Sequence, residues 1–115
     1  MHELSIAAAI LEAAQREVAL HQNAPLQKIV VRLGELAAVD AEALRFSFEM
    51  ITKATEFEPV ELELEFIFRT NRCAGCGAEF AVKDMEFRCP VCGSQDTSFL
   101  RGDELEIAYL ELEDV

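Results

Sequence analysis

Cys73-x2-Cys76 and Cys89-x2-Cys92, twelve residues apart, constrain this chain more than any other stretch. A two-residue gap lets each pair form a tight turn that points both sulfurs at one ion. Gly75 and Gly77 flank the first pair, and Pro90 and Gly93 punctuate the second. Glycine permits the left-handed positions that such turns need. Four thiolates favour tetrahedral Zn²⁺ at about 2.3 Å per bond, with iron as the chemical rival. A redox CxxC accounts for one pair and leaves the second to coincidence. With four ligands no coordination position stays open. The zinc is therefore expected to be structural, replacing a core that roughly 25 residues cannot supply. The intervening AEFAVKDMEFR alternates in two short segments and reads as a hairpin that brings the pairs together.

The flanks supply the main core. LSIAAAILEAAQREVALH reads as a helix, with Leu4, Ala7, Ala8, Leu11, Ala14, Gln15 and Val18 on one stripe and Ile10 beside it. Asn23, Ala24 and Pro25 end it. KIVVRL is a β-branched strand running to Gly34. Asp40 suits the N-cap of a second helix, AEALRFSFEMITKAT, which buries Leu44, Phe48 and Ile51 with Phe46 or Met50 at the edges. VELELEFIF alternates over Val60, Leu62, Leu64, Phe66 and Phe68, with Glu61, Glu63 and Glu65 opposite. ELEIAYLELE closes the chain as a third strand whose phase slips near Tyr109, where a bulge or twist is expected.

This order predicts an α/β fold: a small two-layer domain with two helices on a three-stranded mixed sheet. A four-cysteine zinc-ribbon-like module is inserted between strands 2 and 3. The first two strands form a right-handed parallel crossover, and the second and third are expected to pair antiparallel. The expected domain boundaries are 1–70 with 98–115 for the α/β domain, and 71–97 for the zinc-binding module.

Charge narrows the function classes. The 115 residues carry 22 acids against 10 bases, a formal charge of −12. Such a chain repels phosphate backbones, and the bases of the cysteine module are interspersed with acids, so nucleic acid is not an expected partner. Glu3 and Glu12 interrupt the first apolar run, and no run approaches the roughly 20 residues that a bilayer needs. The expectation is a soluble cytoplasmic protein whose paired cysteines hold metal in a reducing compartment.

The opening MHELS poses a second metal question. His2 offers an imidazole one peptide unit from the Met1 amine. A metal anchored by both can displace the His2 amide proton, with the Glu3 amide or carboxylate completing the set. Fused small chelate rings and nitrogen donors suit square-planar Ni²⁺ or Cu²⁺. Taken alone, the residues read first as an ordinary chain end, where Ser5 or Glu3 assists a helix N-terminus whose positive end disfavours a cation.

Together the motifs resemble the HypA/HybF family of hydrogenase nickel-incorporation proteins over essentially the whole chain. The matching elements are MHELS at 1–5, VRLGEL at 31–36, LRFSFE at 44–49, the two CxxC pairs with CPVCGS at 89–94, and G-x-E-L-x-I at 102–107. The resemblance implies a non-enzymatic nickel metallochaperone that carries Ni²⁺ as transient cargo and helps load [NiFe]-hydrogenase, in some organisms urease. The implied partners are a hydrogenase maturation GTPase and the hydrogenase large subunit or its maturation complex, with a weak homodimer as a further association. By position, His2 is the implied essential nickel ligand, with the Met1 amine and Glu3 donors beside it. Cys73, Cys76, Cys89 and Cys92 are the implied zinc ligands. Asp40 matches an acidic position near the nickel site of some relatives, and equally suits a helix cap. His21 has no counterpart among the ligands and reads as exposed. TKATEFEPVELE departs from the family, which usually has a glycine before the second strand. The alternative reading is a zinc-ribbon adaptor that binds a basic protein partner through its acidic surface and carries no metal cargo.

Overall fold

The computed structural model describes residues 2–113. Helix α1 spans Glu3–Leu20, strand β1 Leu26–Gly34, helix α2 Ala41–Thr52, and strand β2 Glu61–Ile67. Strands β3 (Thr70–Cys73), β4 (Glu79–Ala81) and β5 (Thr97–Arg101) follow, and strand β6 (Leu105–Leu112) comes last. The chain divides into two compact units. One comprises 1–32, 39–65 and 106–115; the other comprises 33–38 and 66–105. The unit around the cysteines thus takes in β3, β5 and the segment after β1, more chain than the cysteine spacing alone delimits.

Three strands form a sheet in the order β2-β1-β6. Ile29, Val30, Val31 and Leu33 of β1 are almost wholly buried, so this strand needs cover on both faces and a neighbour on each side. The glutamate-bearing strands take the edges. Gly34 N–H donates to Glu104 O and Glu113 N–H donates to Pro25 O, so β6 runs antiparallel to β1. Lys28 lies beside Glu61 and Glu63, and Arg32 beside Glu65, so β2 runs parallel to β1. The sheet is mixed as expected, but the expected pairing of the second strand with the last does not occur, because β1 lies between them. The phase slip in β6 is present. Glu106 reaches Arg32 and Glu111 reaches Lys28, although the two glutamates are five positions apart and the two cations four. Lys28 is held charged well above its ordinary pKa, chiefly by hydrogen bonding to Glu111 and then to Glu63.

The helical stripes are rotated from expectation. On α1 the buried residues are Ile6, Ala7, Ile10 and Ala14, while Leu4 is 48% exposed and Ala8 and Gln15 face out. Ala7 and Ala14 let α1 approach α2 closely, and Ile6 and Ile10, four residues apart, fill the same face. On α2, Leu44 and Phe48 are buried as expected and Thr52 replaces Ile51 as the third. The Thr52 hydroxyl donates to Phe48 O at 2.8 Å, which makes its burial tolerable. Phe46 and Met50 are exposed.

The departure TKATEFEP has a backbone consequence. Ala54, the second residue after α2, sits at φ +62. This left-handed position after a helix is one that glycine occupies without steric cost. Ala54→Gly should therefore stabilise the protein by about 0.5–1 kcal/mol, relief of the Cβ clash exceeding the added unfolded-chain entropy. The check is a raised urea midpoint at unchanged slope; a lowered midpoint means that the turn carries no such strain.

Candidate metal centre

The cysteine unit is built on a second sheet of order β4-β3-β5, with both neighbours antiparallel to β3. The expected hairpin between the cysteine pairs does not form as a two-stranded unit. Its first segment, β4, pairs with β3, and the rest contributes a single bridge between Lys83 and Glu86. The strand before Cys73 offers a longer edge than the short charged segment 82–88 does.

Each cysteine pair lies in the same kind of turn. Gly77 N–H donates to Cys73 O and Gly93 N–H donates to Cys89 O, both at 2.9 Å. Cys73 N–H donates to Ala78 O, and Cys89 N–H donates to Ser94 O. Gly77 and Gly93 close these turns at φ +78 and +77, so the glycines singled out after each pair serve one geometric purpose. The four Sγ atoms lie within 4.8 Å of one another, with Cys73–Cys92 at 3.5 Å and Cys76–Cys89 at 3.6 Å. Tetrahedral metal–sulfur bonds of about 2.3 Å place sulfurs about 3.8 Å apart, so the donor set fits a four-thiolate ion.

The electrostatics repeat with the geometry. The first cysteine of each pair is buried and the second exposed. The backbone N–H of Cys76 lowers the Cys73 pKa, and that of Cys92 lowers Cys89 to about 7. The Ala78 and Ser94 N–H groups act in the same sense on Cys76 and Cys92. There the neighbouring thiols and desolvation prevail, raising Cys92 and pushing Cys76 up to about 12. A cation at the centre reverses that mutual repulsion, since thiolates bind it only when deprotonated.

Two supporting residues escaped the sequence reading. Asn71, 3% exposed in β3, donates from Nδ2 to Thr97 Oγ1 at 3.3 Å, and the Thr97 hydroxyl donates to Phe87 O at 2.6 Å. This chain of bonds ties the segment entering Cys89 to β3 and β5. The signal available was a polar residue at an inward strand position two before the first cysteine. The Arg69 guanidinium lies 4.7 Å from the centroid of the Phe87 ring and covers the same segment.

At the other candidate site, Met1 lies outside the described residues. His2 is the exposed N-cap of α1; its carbonyl accepts from Ile6 N–H, and its side chain makes no capping bond. Glu3 Oε2 accepts from the Asp40 backbone N–H at 3.3 Å, and Asp40 Oδ1 accepts from Ala43 N–H at 3.1 Å. The fold thus brings Glu3 to Asp40, 37 residues away, and gives the Asp40 carboxylate its capping role. Among the described residues, only the four cysteines converge as a group of three or more metal-ligating side chains; His2, Glu3 and Asp40 do not. His21 caps the other end of α1 and is exposed.

A family model described as "Hydrogenase/urease nickel incorporation, metallochaperone, hypA" matches residues 1–112. The chain belongs to the HypA family. The metallochaperones of this family are not catalysts. Among curated relatives, the hydrogenase maturation factor HypA of Azotobacter chroococcum is 35% identical over 98% of this chain and 100% of its own length. That of Roseiflexus is 37% identical over 99% and 94%. A solution structure of a HypA protein matches with a TM-score of 0.69 at 21% identity, covering 98% of this chain and 97% of the other. The Ni metallochaperone HypA from Helicobacter pylori matches at 0.60 and 24%, covering 97% of each chain. At these identities the two structures show a shared fold.

Proposed function

We propose that this chain carries Ni²⁺ at its amino terminus and delivers it during maturation of [NiFe]-hydrogenase, while Zn²⁺ held by Cys73, Cys76, Cys89 and Cys92 is structural. The observation that carries this reading is the family match over 1–112, which takes in both the His2-Glu3 opening and the two cysteine pairs. The Met1 amine, His2 and Glu3 are the proposed nickel donors, with Asp40 in the surrounding shell through its contact with Glu3. The exposed His2 imidazole has no capping bond to surrender. Two adjacent nitrogen donors form small chelate rings, and an exposed site lets a partner take the ion away. The proposed partners are a hydrogenase maturation GTPase and the hydrogenase large subunit or its maturation complex; service to urease and a cytoplasmic location belong to the same proposal. No described helix is long and apolar enough to cross a membrane.

Calorimetry on zinc-loaded protein tests the proposal. Nickel binding should vanish in His2→Ala and weaken strongly when a Gly-Ser extension moves the amine away, with the fold unchanged in both. Equal nickel binding by wild type and His2→Ala removes the carrier reading. That result leaves the adaptor reading, which the sheet face favours: Glu61, Glu63, Glu65, Glu106 and Glu111 surround only Lys28 and Arg32.

A further inference from the structure

β6 is an edge of the main sheet, hydrogen-bonded on one side to β1. It runs eight residues and contains neither proline nor lysine, two devices that commonly keep an edge from pairing with another chain. The phase slip re-aims its side chains without ending the strand. A groove of about 770 Å³ lies along it, walled by α1 through Ala13, Arg16, Glu17 and Leu20 and floored by Ile107, Leu110 and Leu112. Leu20 is 78% exposed and Tyr109 49% exposed beside that groove. The edge thus offers a row of backbone donors and acceptors with an apolar trough on one side. Glu106 and Glu111, on the side facing Lys28 and Arg32, line the other.

The charges decide what fits. If two copies paired through β6 in the antiparallel register that uses all eight residues, Glu106 of each would sit opposite Glu111 of the other. Like charges directly across strands are destabilising. A strand bearing Lys or Arg at those two positions, its alternation slipping once as that of β6 does, meets both glutamates favourably, and its apolar side chains enter the groove. We propose that the outer edge of β6 accepts a β-strand from a partner protein, an extended apolar segment with basic residues opposite Glu106 and Glu111. The inference stands on the edge and its charges alone and does not depend on the nature of the cargo.

The test uses the full zinc-loaded chain and three acetylated eight-residue peptides. One carries lysine at its second and seventh residues, opposite Glu111 and Glu106, with valine and threonine elsewhere; one is the same peptide methylated at every backbone nitrogen, and one carries glutamate in place of both lysines. Amide hydrogen exchange across 105–112 should slow by at least about tenfold with the first peptide and stay unchanged with the other two. Glu106→Gln/Glu111→Gln should weaken binding of the first peptide by about tenfold or more. Unchanged exchange with the lysine peptide overturns the proposal, as does equal binding of the methylated or glutamate peptide. Sedimentation of the protein alone supplies a further arm. A concentration-dependent dimer with protected β6 amides assigns the edge to a second copy and likewise overturns it.

Discussion

Gly34→Ala should destabilise the protein by more than about 3 kcal/mol, at the severe end of single substitutions. A Cβ at Gly34 would lie 2.3 Å from Gly102 O, 2.4 Å from Gly102 C and 2.6 Å from Glu104 N. All three are backbone atoms, so no side-chain rotation relieves the clash. Gly34 itself has an ordinary φ of −80; space, not conformation, demands glycine there. Gly102 is constrained on both counts. Its φ is +128, and a Cβ would meet Arg69 Cα at 2.6 Å. Three chain segments cross at this point, held by Leu36 N–H to Gly102 O at 2.7 Å, Gly34 N–H to Glu104 O at 2.7 Å, and Arg69 N–H to the Glu35 carboxylate at 2.8 Å. An alanine forces these segments apart and breaks their bonds, that of the buried Gly34 N–H among them. Urea unfolding followed by circular dichroism is the check. A midpoint close to wild type would mean that the segments pass each other more loosely than the structure has them.

On the proposed reading of the cysteine cluster as a zinc site, Cys76→Ala should reduce bound zinc from about one ion per chain to almost none, because such a site supplies about 10–16 kcal/mol of apparent binding energy that is also local folding energy. The cysteine unit has little else to hold it. Apart from Leu33 and the cysteines themselves, its buried side chains are few, chiefly Thr70, Asn71 and Val82. The helical circular-dichroism signal should largely persist, since α1 and α2 bury Ile6, Ile10, Leu44 and Phe48 in the other unit. Zinc content by mass spectrometry and helicity at 222 nm decide the outcome. Loss of both together would show that the two units do not fold separately.

Much of the architecture was legible because its signals are local. The Cys-x2-Cys spacing dictates that four thiolates can share one ion. β-branched density marks β1, and alternation marks β2 as a strand, although Phe66 and Phe68 on its expected covered face are 51% and 64% exposed. Asp40 was readable as the α2 cap from its place alone, and the structure gives it that bond. Helix rotation was less legible, because the alanine-rich α1 has a weak stripe and only the shape of α2 decides whether Leu4 or Ile6 turns inward.

What the tertiary structure decided is everything that depends on which distant segments touch. Gly34 and Gly102 could be quoted as parts of two separate motifs, but nothing local says that each leaves room for another stretch of backbone. The Asp40 N–H meeting Glu3, and Asn71 reaching Thr97, likewise join residues far apart in the chain. The order β2-β1-β6 follows from burial: the strand that most needs covering takes the centre, and this sets which edge remains open. Periodicity and spacing are properties of neighbouring residues, so the sequence determined the elements and the donor set. Close approach and edge exposure are properties of packed surfaces, and only the folded chain has them.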